Sequence, residues 1–214
     1  MNAASSTLRS VIGLDNQLPR LADAAVIMID FQNTYRHGVM AVDGAEQALA
    51  AGARLLTAAR ESHRPVVHII NDGGPGTPYD IRADIGAISG PVAPRSGEPV
   101  VVKQFPNAFH DTDLEQTLQR LGVGQELVLA GFMTHMCVSY TAQGAFNLGY
   151  RPTVVAEATA TRSLPSPQGP TVHSAVLHTA ALTTIADLFG VVAATVDDLV
   201  PQPTAIHHRR SPTD

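Results

Sequence analysis

Residues 126–148 read ELVLAGFMTHMCVSYTAQGAFNL, and the order of their parts decides the fold. An apolar run ends at Gly131, a short turn follows, and a helical stretch begins near Thr134 or His135. The run is apolar without alternation, the pattern of a strand covered on both faces. The same pattern recurs at 24–30 (AAVIMID), 65–70 (PVVHII), 99–103 (PVVVK), 152–157 (PTVVAE) and 190–196 (GVVAATV). Helices are expected at 43–61, 112–121, 135–148 and 171–188. In the second of these Leu114, Leu118 and Leu121 share a face, and Thr112 with Glu115 is expected to form a capping box. Strands that alternate with helices in this rhythm imply right-handed crossovers and a parallel sheet. The expected fold is α/β, a Rossmann-like three-layer sandwich with a six-stranded, mostly parallel sheet and helices on both faces.

In such sheets ligands bind beyond the carboxyl ends of the strands. That rule singles out Asp30, Asn71, Lys103 and the segment after Gly131. Asp30 closes an apolar strand, and reads either as a cap or ion-pair partner or as a functional carboxylate. Lys103 follows three valines; it either snorkels to solvent or is buried and paired. Together the two could pair across one crevice. Cys137 falls in the first turn of a helix. Free cysteines are often inert core residues. Here the helix N-terminus and a nearby Lys103 are expected to lower the thiol pKa, and the charged strand ends favour the reactive reading.

Other features are weaker. The stretch NDGGPGTPYDI (71–81) has neither G-x-G-x-x-G nor a P-loop lysine, and reads as a loop over the site. His68 reads as a satisfied core histidine, and His135 is given no catalytic role. Tyr35 and Phe109 read equally as pocket wall or core.

Three blocks carry a resemblance: VIMIDFQNTY (26–35), VVVKQFPNAFHDTDLEQTL (100–118) and LAGFMTHMCVSYTAQGAFNLGYRPTVVAEATA (129–160). In this order and spacing they are similar to the isochorismatase-like hydrolases, a superfamily that includes nicotinamidases, N-carbamoylsarcosine amidohydrolases and streptothricin hydrolases. The streptothricin-hydrolase-like branch is the one this chain most resembles. The resemblance implies a catalytic triad of Asp30, Lys103 and Cys137. It implies an oxyanion hole from the backbone N–H groups of Met133 and Cys137, with a cis peptide between Phe132 and Met133. Gln32, Tyr35 and Phe109 become candidate substrate contacts. Nicotinamidases carry an Asp-x-His metal element after the second strand. Here HIINDGGPG offers Asp72 without Asp-x-His, so no metal and no cofactor is expected.

The reaction so implied is hydrolysis of a small amide, lactam or urea-type C–N bond through a thioester on Cys137. Two alternatives stay open: vinyl-ether hydrolysis of an isochorismate-like acid, which needs no cysteine nucleophile, and a non-catalytic binding or redox domain with one reactive thiol. The third does not require Asp30 and Lys103 to meet Cys137. Family members usually form dimers or tetramers, so a homo-oligomer is expected.

The bulk numbers agree. A chain of 214 residues fits one domain, expected at 21–200 behind an N-terminal arm (1–20). The polar stretch 201–214, with His207, His208, Arg209 and Arg210, reads as a disordered tail. A formal net charge of -5 without basic runs in the body makes nucleic acid an unexpected partner; a small-molecule substrate is expected instead. No stretch suits a membrane span or a signal peptide. A single cysteine excludes internal disulfides and cysteine–zinc clusters, and suits a reducing, cytoplasmic setting.

Overall fold

Strands that are apolar on both faces need cover on both faces, and the computed structural model, which describes residues 5–200, supplies it except at one sheet edge, where Val100 and Val102 are exposed because no element packs on that face. The elements in chain order are α1 (Leu8–Val11), β1 (Ala25–Ile29), α2 (Ala45–Glu61), β2 (Val66–Asn71), β3 (Val100–Lys103), α3 (Leu114–Arg120), β4 (Glu126–Phe132), α4 (Ser139–Asn147), β5 (Arg151–Ala160), β6 (Leu164–Ser166), β7 (Gly169–Val172), α5 (Ser174–Thr184) and β8 (Val191–Ala193). The main sheet has six strands in the order β3-β2-β1-β4-β5-β8, and every pairing in it is parallel. Strand order reverses between β1 and β4, so the crevice at their carboxyl ends is the topological switch point.

The period-2 geometry of a strand splits its apolar residues between two cores. Val26 and Met28 of β1, with Val128, Ala130 and Phe132 of β4, face α2 and its Leu49, Leu55 and Leu56. Ala25, Ile27 and Ile29, with Leu127 and Leu129, face α3 and α4 through Leu114, Leu118, Val138, Ala142 and Ala145. Phe31, directly after Asp30, seats its ring on Gly52 of α2, where any Cβ would lie 2.5 Å from the ring.

Several elements differ from expectation. The capping box at Thr112 and Glu115 does not form. Thr112 Oγ1 instead donates to the Ala108 carbonyl at 2.6 Å, and Asp113 is the N-cap without a side-chain bond. The helix expected from 135 starts as a π turn, Thr134–Val138. The helix expected at 171–188 begins only at Ser174. Residues 169–172 pair back on 164–166 as an antiparallel hairpin, because the prolines and Gly169 of SLPSPQGP favour a turn over a helix. The strand at 190–196 shortens to Val191–Ala193, and β5 runs on to Ala160.

Residues 5–20 dock on the body: the Leu8 N–H donates to Asp187 Oδ1 at 2.9 Å, and Arg9 donates to the Leu188 carbonyl at 3.0 Å. The tail expected at 201–214 lies outside the described residues. No helix among the described residues is long and apolar enough to cross a membrane.

Gly131 of β4 pairs with Ile29 of β1. Its φ is +134°, and an added Cβ would lie 1.8 Å from the Ile29 carbonyl oxygen. Gly131→Ala should therefore cost about 3 kcal/mol of stability, read as a lowered urea midpoint with an unchanged m-value.

Candidate active site

The switch-point crevice holds charges that the core would otherwise exclude. Asp30 follows β1 with φ +49°, a left-handed conformation that aspartate tolerates better than most residues. Lys103 ends β3, and its buried register faces the α3 and α4 side. Their side chains are fully buried, with Lys103 Nζ 2.7 Å from Asp30 Oδ2. Lys103 Nζ also lies 3.3 Å from Asn71 Oδ1 and 3.4 Å from Cys137 Sγ. The three residues singled out in the sequence therefore meet, and Asn71 completes the cradle of the ammonium. Asp30 faces both the Lys103 ammonium and the Cys137 thiol, and the charge of Lys103 is the largest of the effects that favour its ionised form.

Cys137 sits in the π turn between β4 and α4, where the Val138 N–H reaches back to the Met133 carbonyl at 3.2 Å. The peptide between Phe132 and Met133 is cis. Cys137 is 6% exposed. The thiol pKa does not fall as expected from sequence. Burial and the Asp30 carboxylate push it up to about 12, against the opposing pull of Lys103. Burial opposes the Lys103 ammonium, yet Asp30 and Cys137 hold its pKa above the ordinary lysine value. Burial also lifts the Asp30 carboxyl above its usual range, with Lys103 opposing. Burial thus opposes charge on both the Asp30 carboxyl and the Cys137 thiol, while the Lys103 ammonium favours the charged form of each.

Gln32 is fully buried, and its amide is already used. Nε2 donates to the carbonyls of Asn71 at 3.0 Å and Gly86 at 2.7 Å, and Oε1 accepts the Asn71 N–H at 3.0 Å. It therefore clamps β2 to the loop at 84–86 and has no donor left for a substrate. Phe109 stacks on Tyr150 with centroids 5.8 Å apart. Phe109 packs, partly buried, against the apolar cluster that also contains Cys137 and Val138. Tyr35 is buried against Phe132 and donates to Tyr79 Oη at 3.4 Å. Both tyrosines lie in electrostatic range of Asp30 and Cys137. His68 is spent on Glu98 at 3.0 Å.

Sequence reasoning missed Tyr79 and Arg162. Tyr79 comes from the 71–81 loop. Arg162 follows β5 and acts on both Tyr79 and His135; burial first, then Arg162, depresses the His135 imidazolium. The Arg162 Nε is buried with no hydrogen-bond partner among the described residues. A signal for Arg162 did exist. Extending the 152–157 strand to Ala160 would have put it at a strand's carboxyl end. Among the described residues no three of His, Cys, Asp and Glu cluster as a metal site.

A fully parallel α/β sheet with a thiol, a carboxylate and an ammonium in mutual contact at its switch point defines a class of thiol-centred α/β proteins. Comparison narrows the class. The isochorismatase domain family matches residues 24–197. The chain is 31% identical over 193 residues to a secreted isochorismatase effector of Verticillium dahliae, covering 90% of this chain and 98% of that protein. It is 35% identical over 142 residues to a streptothricin hydrolase of Streptomyces noursei, covering 66% of this chain and 51% of that one. A solved isochorismatase structure from Pseudomonas putida superposes with a TM-score of 0.88 at 36% identity, covering 92% of this chain and 100% of that one. The chain belongs to the isochorismatase family and is a hydrolase.

Iodoacetamide should alkylate Cys137 slowly near neutral pH and ever faster in the alkaline range, as a thiol held at about 12 requires. Asp30→Asn removes a charge that disfavours the thiolate, so its alkylation profile should move to lower pH. Lys103→Ala should move it the other way. Rapid alkylation of the parent at neutral pH would contradict this ordering.

Proposed function

We propose that the chain is a metal-independent cysteine amidohydrolase of small amide, lactam or urea-type molecules that carry an acid group. The observation that carries the reading is the convergence of Asp30, Lys103 and Cys137, with Lys103 Nζ 2.7 Å from Asp30 Oδ2 and 3.4 Å from Cys137 Sγ. A neutral thiol beside a buried carboxylate suits proton transfer coupled to attack. Asp30 takes the thiol proton as Cys137 Sγ bonds to the carbonyl carbon. The backbone N–H groups of Met133 and Cys137 receive the oxyanion. The C–N bond breaks, and Asp30 returns the proton to the leaving nitrogen. Asp30 then deprotonates the water that opens the thioester, and the acid leaves as the thiol is restored. Lys103 remains an ammonium throughout and favours the charged form of Asp30 against its burial.

Arg162 supports the acid group of the substrate. Its buried, unpartnered Nε borders the site beside His135 and Tyr79, and an unmatched guanidinium recognises a carboxylate well. The streptothricin hydrolase relative favours amide chemistry. The isochorismatase effector relative favours the second reading, vinyl-ether hydrolysis by Asp30 acting as an acid. A reducing, cytoplasmic setting would keep the single thiol free.

A mass-spectrometric screen of acid-bearing amides and of isochorismate, watching for an acyl adduct on Cys137, separates the two. Cys137→Ala should lower kcat by roughly four orders of magnitude while substrate still binds, and Asp30→Asn should be as inactive. Arg162→Ala should raise KM for acid-bearing amides about 10- to 100-fold. Near-parental turnover in Cys137→Ala with an inactive Asp30→Asn would transfer the assignment to the vinyl-ether reaction. Dialysis against a strong chelator should leave the rate unchanged; a loss reversed by added zinc or manganese would disprove metal independence.

A further inference from the structure

The π turn that carries Cys137 is held from outside the trio. Thr134, its first residue, is fully buried, and its Oγ1 shares a 2.9 Å hydrogen bond with Nδ1 of His178 on α5. The Thr134 carbonyl accepts from Ser139 Oγ at 2.6 Å, so both ends of this residue are fixed. A π turn is wider than an α turn and readily relaxes unless its surroundings hold it; such turns concentrate at functional sites. The extra residue sets the direction in which Cys137 Sγ points, and with it the 3.4 Å approach to Lys103. His178 touches none of the three groups. It also borders a cleft of about 320 Å³ with Asp43 and Thr161, so a direct ligand contact is the competing role.

We propose that His178 is a positioning residue: through Thr134 it holds the π turn open and keeps the Cys137 thiol in register with Lys103 and Asp30. The proposal rests on the cysteine-hydrolase reading for its catalytic consequence, but not for its geometric one. Removing the hydrogen bond lets the turn tighten toward α geometry and carries the sulfur away from its partners. Misplacement of a reacting atom by about 1 Å costs on the order of 100-fold in rate.

The experiment has a substrate-free arm and a turnover arm, both on the full chain. In the first, iodoacetamide alkylation of Cys137 is followed by mass spectrometry across pH for the parent, His178→Ala, His178→Asn and Thr134→Val. His178→Ala and Thr134→Val should shift the midpoint by about half a pH unit or more, because the thiol's distances to Lys103 and Asp30 change. His178→Asn should restore the parent profile, since its carbonyl oxygen can accept from Thr134. In the second arm, the amide found by the screen should show kcat lowered about 10- to 100-fold in His178→Ala, with KM within about twofold. Thr134→Val breaks the same bond from the other side, and serves if His178→Ala does not fold. A parental alkylation profile in both variants overturns the proposal. So does a loss confined to KM, which marks a ligand contact, or one confined to thermal stability. If no amide is turned over, the amidohydrolase reading fails alone, because the alkylation arm still decides the positioning role.

Discussion

Lys103 brings a positive charge to a point where neither its own side chain nor that of Asp30 reaches solvent. Two ions taken out of water are tolerated only when their geometry compensates, and removing one partner of such a pair costs about 3–5 kcal/mol. The surrounding architecture meets that condition. β1 and β3 are separated by one strand, so their ends present the two charges across the width of β2. Asn71, at the end of β2, reaches the ammonium from the strand between. Gly131 lets β4 close against β1, bringing the Cys137 turn within reach. The pair also explains why the thiol stays neutral. Burial and a fixed carboxylate disfavour the thiolate more than one shared ammonium favours it.

A second layer of polar contacts fixes the loop that roofs the crevice. Gln32 ties β2 to Gly86, and Asn33 donates to the Asp84 carbonyl at 2.9 Å while accepting from Ser89 Oγ at 2.8 Å. Both follow Asp30 in sequence, so the strand end that supplies the carboxylate also anchors the loop bearing Tyr79. Burial makes the Gln32 amide structural. A buried amide that lost its partners would cost more than a substrate contact could return. The same arithmetic explains His68, whose ring is held by Glu98 below the site.

The strand ends were legible in the primary structure because charge at the end of an apolar run has few interpretations. AVIMID and VVVK each place one ionisable group where a parallel sheet opens its crevice, and the turn after Gly131 places the thiol there too. Arg162 was not legible, since the apparent end of β5 at Glu157 hid three further strand residues. Phe109, which the sequence leaves equally as pocket wall or core, stacks on Tyr150 and packs against the cluster that holds Cys137.

By itself the sequence determined the alternation of strands and helices, the parallel sheet, and which residue types stand at its carboxyl edge. Those follow from hydrophobic periodicity, which is local. The tertiary structure alone decided the direction of the pKa shifts in the trio, the π turn, the hairpin at 164–172 and the holding of Thr134 by His178, a residue 44 positions away. These depend on desolvation and on contacts between distant segments. Neither quantity exists until the chain has packed, and so no stretch of residues read in order can carry it.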